Sequence, residues 1–106
     1  MKTTPLIVLC TCPDGTAADA IAAALLEAGL AACVNRIDGV ESLYRWEGTI
    51  QRDQEVLLLI KTTAVAFGEV EDAISDLHPY ELPEIIGVPV TQGSAPYLDW
   101  LTKSVG

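Results

Sequence analysis

The hydrophobic positions of the chain fall into alternating blocks of two kinds, continuous or two-residue runs and runs of helical spacing. Residues 6–12, Leu-Ile-Val-Leu-Cys-Thr-Cys, form an unbroken β-favouring run closed by Pro13-Asp14-Gly15, and predict a strand followed by a turn. From Thr16 to Ala28 the residues Ala17, Ile21, Leu25 and Ala28 share one helical face. Asp14 or Thr16 is suited to cap that helix and Gly29 to close it. The segment 32–46 carries Val34, Val40, Leu43, Tyr44 and Trp46 and is interrupted by Asp38-Gly39, which predicts a long strand with a bulge or bend. A turn at Trp46-Glu47-Gly48 leads into a strand over 49–62, whose block Val56-Leu57-Leu58-Leu59-Ile60 is too short to specify a helix. Phe67, Val70, Ile74 and Leu77 then recur at helical spacing within 65–77, with Glu69, Glu71, Asp72 and Asp76 left for solvent. Pro79 stops that helix, residues 85–90 predict a strand in which Pro89 marks an edge or a bulge, and Tyr97, Leu98, Trp100 and Leu101 predict a short terminal helix.

The predicted order is βαββαβ plus a helix: an α+β, ferredoxin-like split βαβ fold, with an antiparallel sheet and its two main helices on one face. No linker, repeat or low-complexity tract divides the chain, so residues 1–106 read as a single domain. The open sheet face needs an explanation. A strand with one solvated face alternates apolar and polar residues, whereas the first, third and fourth strands each hold blocks apolar on both sides. The hairpin is also long: about 14 residues at about 3.3 Å span roughly 46 Å, against a diameter of roughly 33 Å for a compact chain of this size. Packing of neighbouring subunits' sheets, with the hairpin arms crossing the interface, accounts for both. The alternative is a hairpin folded back over its own sheet at Asp38-Gly39.

Composition narrows the partners. Half of the 106 residues are hydrophobic, enough for a core that folds without a metal or disulfide. Fifteen acidic against six basic residues give a net charge of -9, which repels phosphate backbones and anionic lipid, so neither nucleic acid nor membrane is an expected partner. The run Leu6–Leu9 is too short for a signal segment or a membrane span. Three cysteines, an odd number, do not form a disulfide framework, and reduced thiols fit a cytoplasmic protein.

Few residues offer chemistry. Cys10 and Cys12, two apart on a strand, share a face, where soft thiolates favour copper(I) or zinc. They equally suit two small buried hydrophobes at the end of a core strand, and Cys33 fits that description still better. His78, the one histidine, closes the second long helix, a place where a cation complements the helix dipole. With Tyr80, Glu81 and Glu84 it also makes a mixed set of nitrogen and oxygen donors for a borderline divalent metal. Neither a C-x2-C nor an H-x3-H pair is present, which disfavours a closed structural zinc site. No nucleophile, base and orienting group stand together in the sequence, so the chain does not read as an enzyme. The turn before the first helix lacks the glycine and lysine pattern of a phosphate loop. Tyr44, Trp46, Tyr80, Tyr97 and Trp100 read as packing and interface aromatics.

Together these segments resemble the CutA divalent-cation-tolerance family. The resemblance rests on Leu9-Cys10-Thr11 followed by Pro13-Asp14, Leu30-Ala31-Ala32-Cys33-Val34-Asn35, Ser42-Leu43-Tyr44 with Trp46-Glu47-Gly48, Gln54-Glu55, Lys61-Thr62, His78-Pro79-Tyr80-Glu81, Pro83-Glu84-Ile85, and Tyr97-Leu98 with Trp100. It implies a ferredoxin-like fold, a tightly packed homotrimer and a role in tolerance of copper and other divalent metals, with no established reaction. Carried over by residue, the family's copper site puts Cys10 and His78 among the ligands. Members taken as copper binders can have a second histidine where this chain has Leu77, and Cys12 is the thiol that would take its place. Two functions follow: a trimeric metal-binding protein using Cys10, Cys12 and His78, or a PII-like signalling or scaffold trimer that holds a small anion or nucleotide between subunits near the N-terminus of the first helix.

Overall fold

In the computed structural model, which describes residues 3–106, the elements run β1 (Pro5–Cys12), α1 (Gly15–Glu27), β2 (Cys33–Trp46), β3 (Thr49–Thr63), α2 (Phe67–Leu77), β4 (Ile86–Pro89) and α3 (Ala95–Lys103). The four strands form one antiparallel sheet in the order β2-β3-β1-β4. This is the expected α+β arrangement, and Pro89 does lie on an edge strand.

Side chains alternate across the sheet, so its two faces follow from parity. Val8, Cys10 and Cys12 of β1 and Val56, Leu58 and Ile60 of β3 point to the helix side. There they close a core with Ala18, Ile21 and Leu25 of α1 and Val70 and Ile74 of α2. Asp14 caps α1, its side chain accepting from the Ala17 N–H at 2.9 Å. The helix ends in a Schellman motif, with the Leu30 N–H on the Leu25 carbonyl and the Gly29 N–H on the Leu26 carbonyl. The start of β3's neighbour turn differs from expectation for α2: Ala64–Ala66 form a turn in which the Ala66 N–H meets Thr63 Oγ1, so the helix begins at Phe67 rather than at residue 65. Ala28 is exposed and Leu77 is 45 % exposed, so neither belongs to the apolar face on which spacing put it.

The opposite face is partly covered from within the chain, which periodicity does not disclose. Helix α3 packs against β3 and β1, Leu101 is buried, and Lys61, which points away from the main core, lies over the Tyr97 ring at 5.6 Å. The cover is incomplete. Ile86 and Val88 of β4 remain about half exposed, as do Tyr44 and Trp46 on the hairpin.

That hairpin extends instead of folding back. The chain measures 46 × 26 × 22 Å, and its radius of gyration of 14.3 Å exceeds the value of about 13 Å for a compact chain of this length. The tip is a two-residue turn with positive φ at both Glu47 and Gly48, the primed geometry that matches strand twist. Between Ile37 and Val40 the register shifts: Ile37 pairs with Leu57 and Val40 with Glu55, so Asp38 and Gly39 together oppose Val56. Gly39, at φ 74°, supplies the left-handed backbone this bulge requires. The extra residue reverses parity along β2. Beyond it, Ser42, Tyr44 and Trp46 stand beside Asp53, Gln51 and Thr49 on the face away from α1 and α2.

Candidate metal centre and adjoining cleft

Cys10 and Cys12 end β1 on the helix side, and the C-terminus of α2 brings His78 to the same place. One donor atom of each of the three lies within 4.8 Å of the others. All three are buried, the two thiols completely and His78 at 7 % exposure. The group is therefore dry as well as close, two soft sulfurs and an imidazole, a set suited to copper(I) or zinc.

The imidazole is already employed. His78 Nδ1 accepts the Tyr80 N–H at 3.1 Å, so Nε2 carries the proton and donates to the Thr11 carbonyl at 2.8 Å. The ring thus ties the end of α2 to the end of β1, a structural duty, and a metal at Nε2 would replace the Thr11 bond. The two thiols are unlike each other. The hydrogen bond to Cys12, and then burial, push the Cys10 thiol far above the ordinary range, with the Glu84 and Glu55 charges acting in the same direction. Cys12 is held below that range by the hydrogen bond from Cys10, against the effect of burial. Cys12 is the thiol ready to bind a cation; Cys10 yields its proton only to an ion that repays the loss. Cys33 is half-buried and apart from this cluster.

Glu81 and Glu84, grouped with His78 by sequence, do not join it. They line a cleft of about 760 Å³ on the other side of β1, between the hairpin and the loop 79–84. Thr11 separates the two sites: its neighbours Cys10 and Cys12 face the helices, while Thr11 itself lines the cleft. Glu55, also in the cleft wall, is 7 % exposed and accepts the Tyr80 hydroxyl at 2.7 Å. Burial, and then that bond, raise the Tyr80 phenol well above its usual value. This Tyr80–Glu55 pair spans 25 positions, and only the path of the loop across the end of the sheet brings it together.

A second contact was equally invisible in the sequence. The guanidinium of Arg36, carried by β2, lies close against Gly15 in the first turn of α1, where an added Cβ would meet it. Arg36 is bound there by Asp19 and Asp38, each at 2.7 Å. The basic residue that an anion site near this turn would need is present, and its charge is already neutralised.

Comparison with known proteins gives one consistent result. The family profile described as CutA1 divalent ion tolerance protein matches residues 6–104. The divalent-cation tolerance protein CutA of Thermus thermophilus is 48 % identical over 100 residues, covering 94 % of this chain and 97 % of that protein. Protein CutA of Homo sapiens is 46 % identical over 93 residues, 88 % of this chain and 52 % of that protein. Among solved structures, the Thermus thermophilus protein superimposes with a TM-score of 0.94 at 47 % identity, covering 96 % and 99 % of the two chains. The periplasmic divalent cation tolerance protein CutA of Archaeoglobus fulgidus gives 0.92 at 35 % identity, covering 96 % and 99 %.

Proposed function

The chain belongs to the CutA1 divalent ion tolerance family, and we propose that, as a divalent-cation tolerance protein, it works as a homotrimer that binds copper or another divalent metal at Cys10, Cys12 and His78. The observation that carries this reading is the convergence of three buried donors from β1 and the end of α2. Cys12 stands in for the histidine absent at Leu77. The metal is read as cargo, and the fold as resting on the apolar core of Ile21, Leu25, Leu58 and Ile74. Relatives are named as tolerance proteins, not enzymes. No helix among the described residues is long and apolar enough to cross a membrane, and three unpaired thiols suit a reducing compartment such as the cytoplasm.

Titration of the reduced, metal-free protein with copper(I) and with zinc is expected to give saturable binding of one ion per chain. Affinity should climb as pH rises, because the Cys10 thiol, raised by its bond to Cys12 and by burial, must release its proton to ligate. Absence of saturable binding at micromolar protein would end the proposal. The trimer is supported by the half-exposed apolar residues of β4 and the arm, and predicts three times the chain mass of 11.3 kDa in light scattering; a monomer's mass would refute it. The PII-like alternative is not favoured, because Arg36 at the first turn of α1 is spent on Asp19 and Asp38.

A further inference from the structure

In a trimer whose subunits cover one another's open sheet faces, the cleft on the far side of Thr11 is part of the interface, and its charge must be matched from another chain. Glu55, Glu81 and Glu84 line it, and no lysine, arginine or histidine does. Glu55 is the most demanding of the three. It is 7 % exposed, yet its only donor is the Tyr80 hydroxyl on Oε2. Among the described residues no sealed side-chain oxygen lacks a partner, so the free Oε1 opens on the cleft that Glu55 lines. A covering subunit that brought no donor there would strand a buried charge, which is strongly destabilising.

The same chain carries a cation without a partner. Arg36 is held by Asp19 and Asp38, Arg52 by Glu41 and Lys103 by Asp99, while Lys61 lies over the Tyr97 ring. Among the described residues Arg45 alone has neither an ion pair nor a ring to rest on. It is exposed and pairs with Ile50 near the tip of the arm. Because side chains alternate, Arg45 points to the opposite side of the ribbon from Tyr44 and Trp46, which line the chain's own cleft. It shares that outward side with Leu43 and Ile50, 55 % and 71 % exposed. The arm thus presents an apolar strip with one free guanidinium to whatever it reaches. The cleft offers the complement, carboxylates beside Leu82, which is 71 % exposed.

We propose that the arm of one subunit enters the cleft of the next, with its Arg45 guanidinium on Glu55 and Glu84 and its Leu43 and Ile50 against Leu82. A planar guanidinium suits the place, since its fork of donors can serve two carboxylates at once. The contact is heterologous, so three copies close a ring in which every cleft receives one arm. This rests on the trimer reading above and adds the residues that meet.

The test uses the full chain and positions that are exposed or half-buried. Arg45→Glu should raise the concentration at which half of the trimer dissociates, read by light scattering on dilution, at least about tenfold, because it sets like charges together. Adding Glu84→Arg to Arg45→Glu should restore most of the loss. Added salt should weaken the wild-type trimer more than that of Arg45→Ala. Arg45→Cys combined with Glu84→Cys and treated with a short bis-maleimide should give linked chains on a denaturing gel, whereas each single variant stays at the mass of one chain. A wild-type trimer that Arg45→Glu leaves equally stable, or a double-cysteine variant that yields no linked chains, would overturn the proposal and leave the trimer standing. A monomer's mass for the wild type would remove both.

Discussion

Replacing Cys10 or Cys12 with alanine lowers the affinity of the reduced protein for copper(I) by more than about 100-fold, because loss of a direct ligand exceeds the roughly 10- to 100-fold effect of losing a group that merely orients one. The two variants should differ in pH dependence. Cys10 is the thiol whose proton is held by its bond to Cys12 and by burial. Without it, binding through Cys12 and His78 should vary less steeply with pH, and calorimetry in buffers of different ionisation heat should count fewer protons released. His78→Ala tests the third donor but also cuts the ties to Thr11 and to the Tyr80 N–H, so it must be read beside a melting curve. Wild-type affinity in both cysteine variants would leave the thiols as core residues and nothing more.

Leu58→Ala is expected to destabilise the protein by about 2–5 kcal/mol. Leu58 lies in the centre of β3, pairs with Cys10 in the sheet and is fully buried against α1 and α2. Truncation opens a cavity in the one cluster that both helices share, and the strand on either side is too well paired to collapse into it. Val65→Ala is the matching control: the side chain is 80 % exposed, and its removal should change stability by less than about 0.5 kcal/mol. Urea unfolding at a fixed protein concentration reads both, through the midpoint at constant slope. A Leu58→Ala midpoint equal to that of Val65→Ala would show that the core is not organised around β3.

Much of this architecture was legible in the sequence because it depends on short-range periodicity. The four strands, the three helices, the bulge at Asp38-Gly39 and the edge position of Pro89 all follow from spacing, turn residues and proline chemistry. Ala28 and Leu77 were misplaced because both stand at a helix end, Ala28 as the C-cap of α1 and Leu77 as the last residue of α2, where spacing alone does not say whether anything packs against them. The self-cover by α3 was not legible, since a nine-residue helix with one buried side chain does not announce which face it takes. The same limit hid the Tyr80–Glu55 pair and the Arg36 contact with Gly15: each joins residues distant in sequence through the path of a loop or strand end. For the metal group, Cys10 and Cys12 were marked by their spacing, but only the stop of α2 beside β1 brings His78 to them.

The bulge in β2 also constrains how this arm can change over generations. Because Asp38 and Gly39 share one partner position, deleting either one restores an even ladder and leaves Tyr44 opposite Gln51 and Trp46 opposite Thr49, on the side of Glu55. Removing a facing pair, one residue from each strand nearer the tip, inverts the tip alone, and removing two from each strand leaves every side as it was. The arm can therefore lose a residue silently at the bulge, whereas nearer the tip its length changes safely only by two facing pairs at a time.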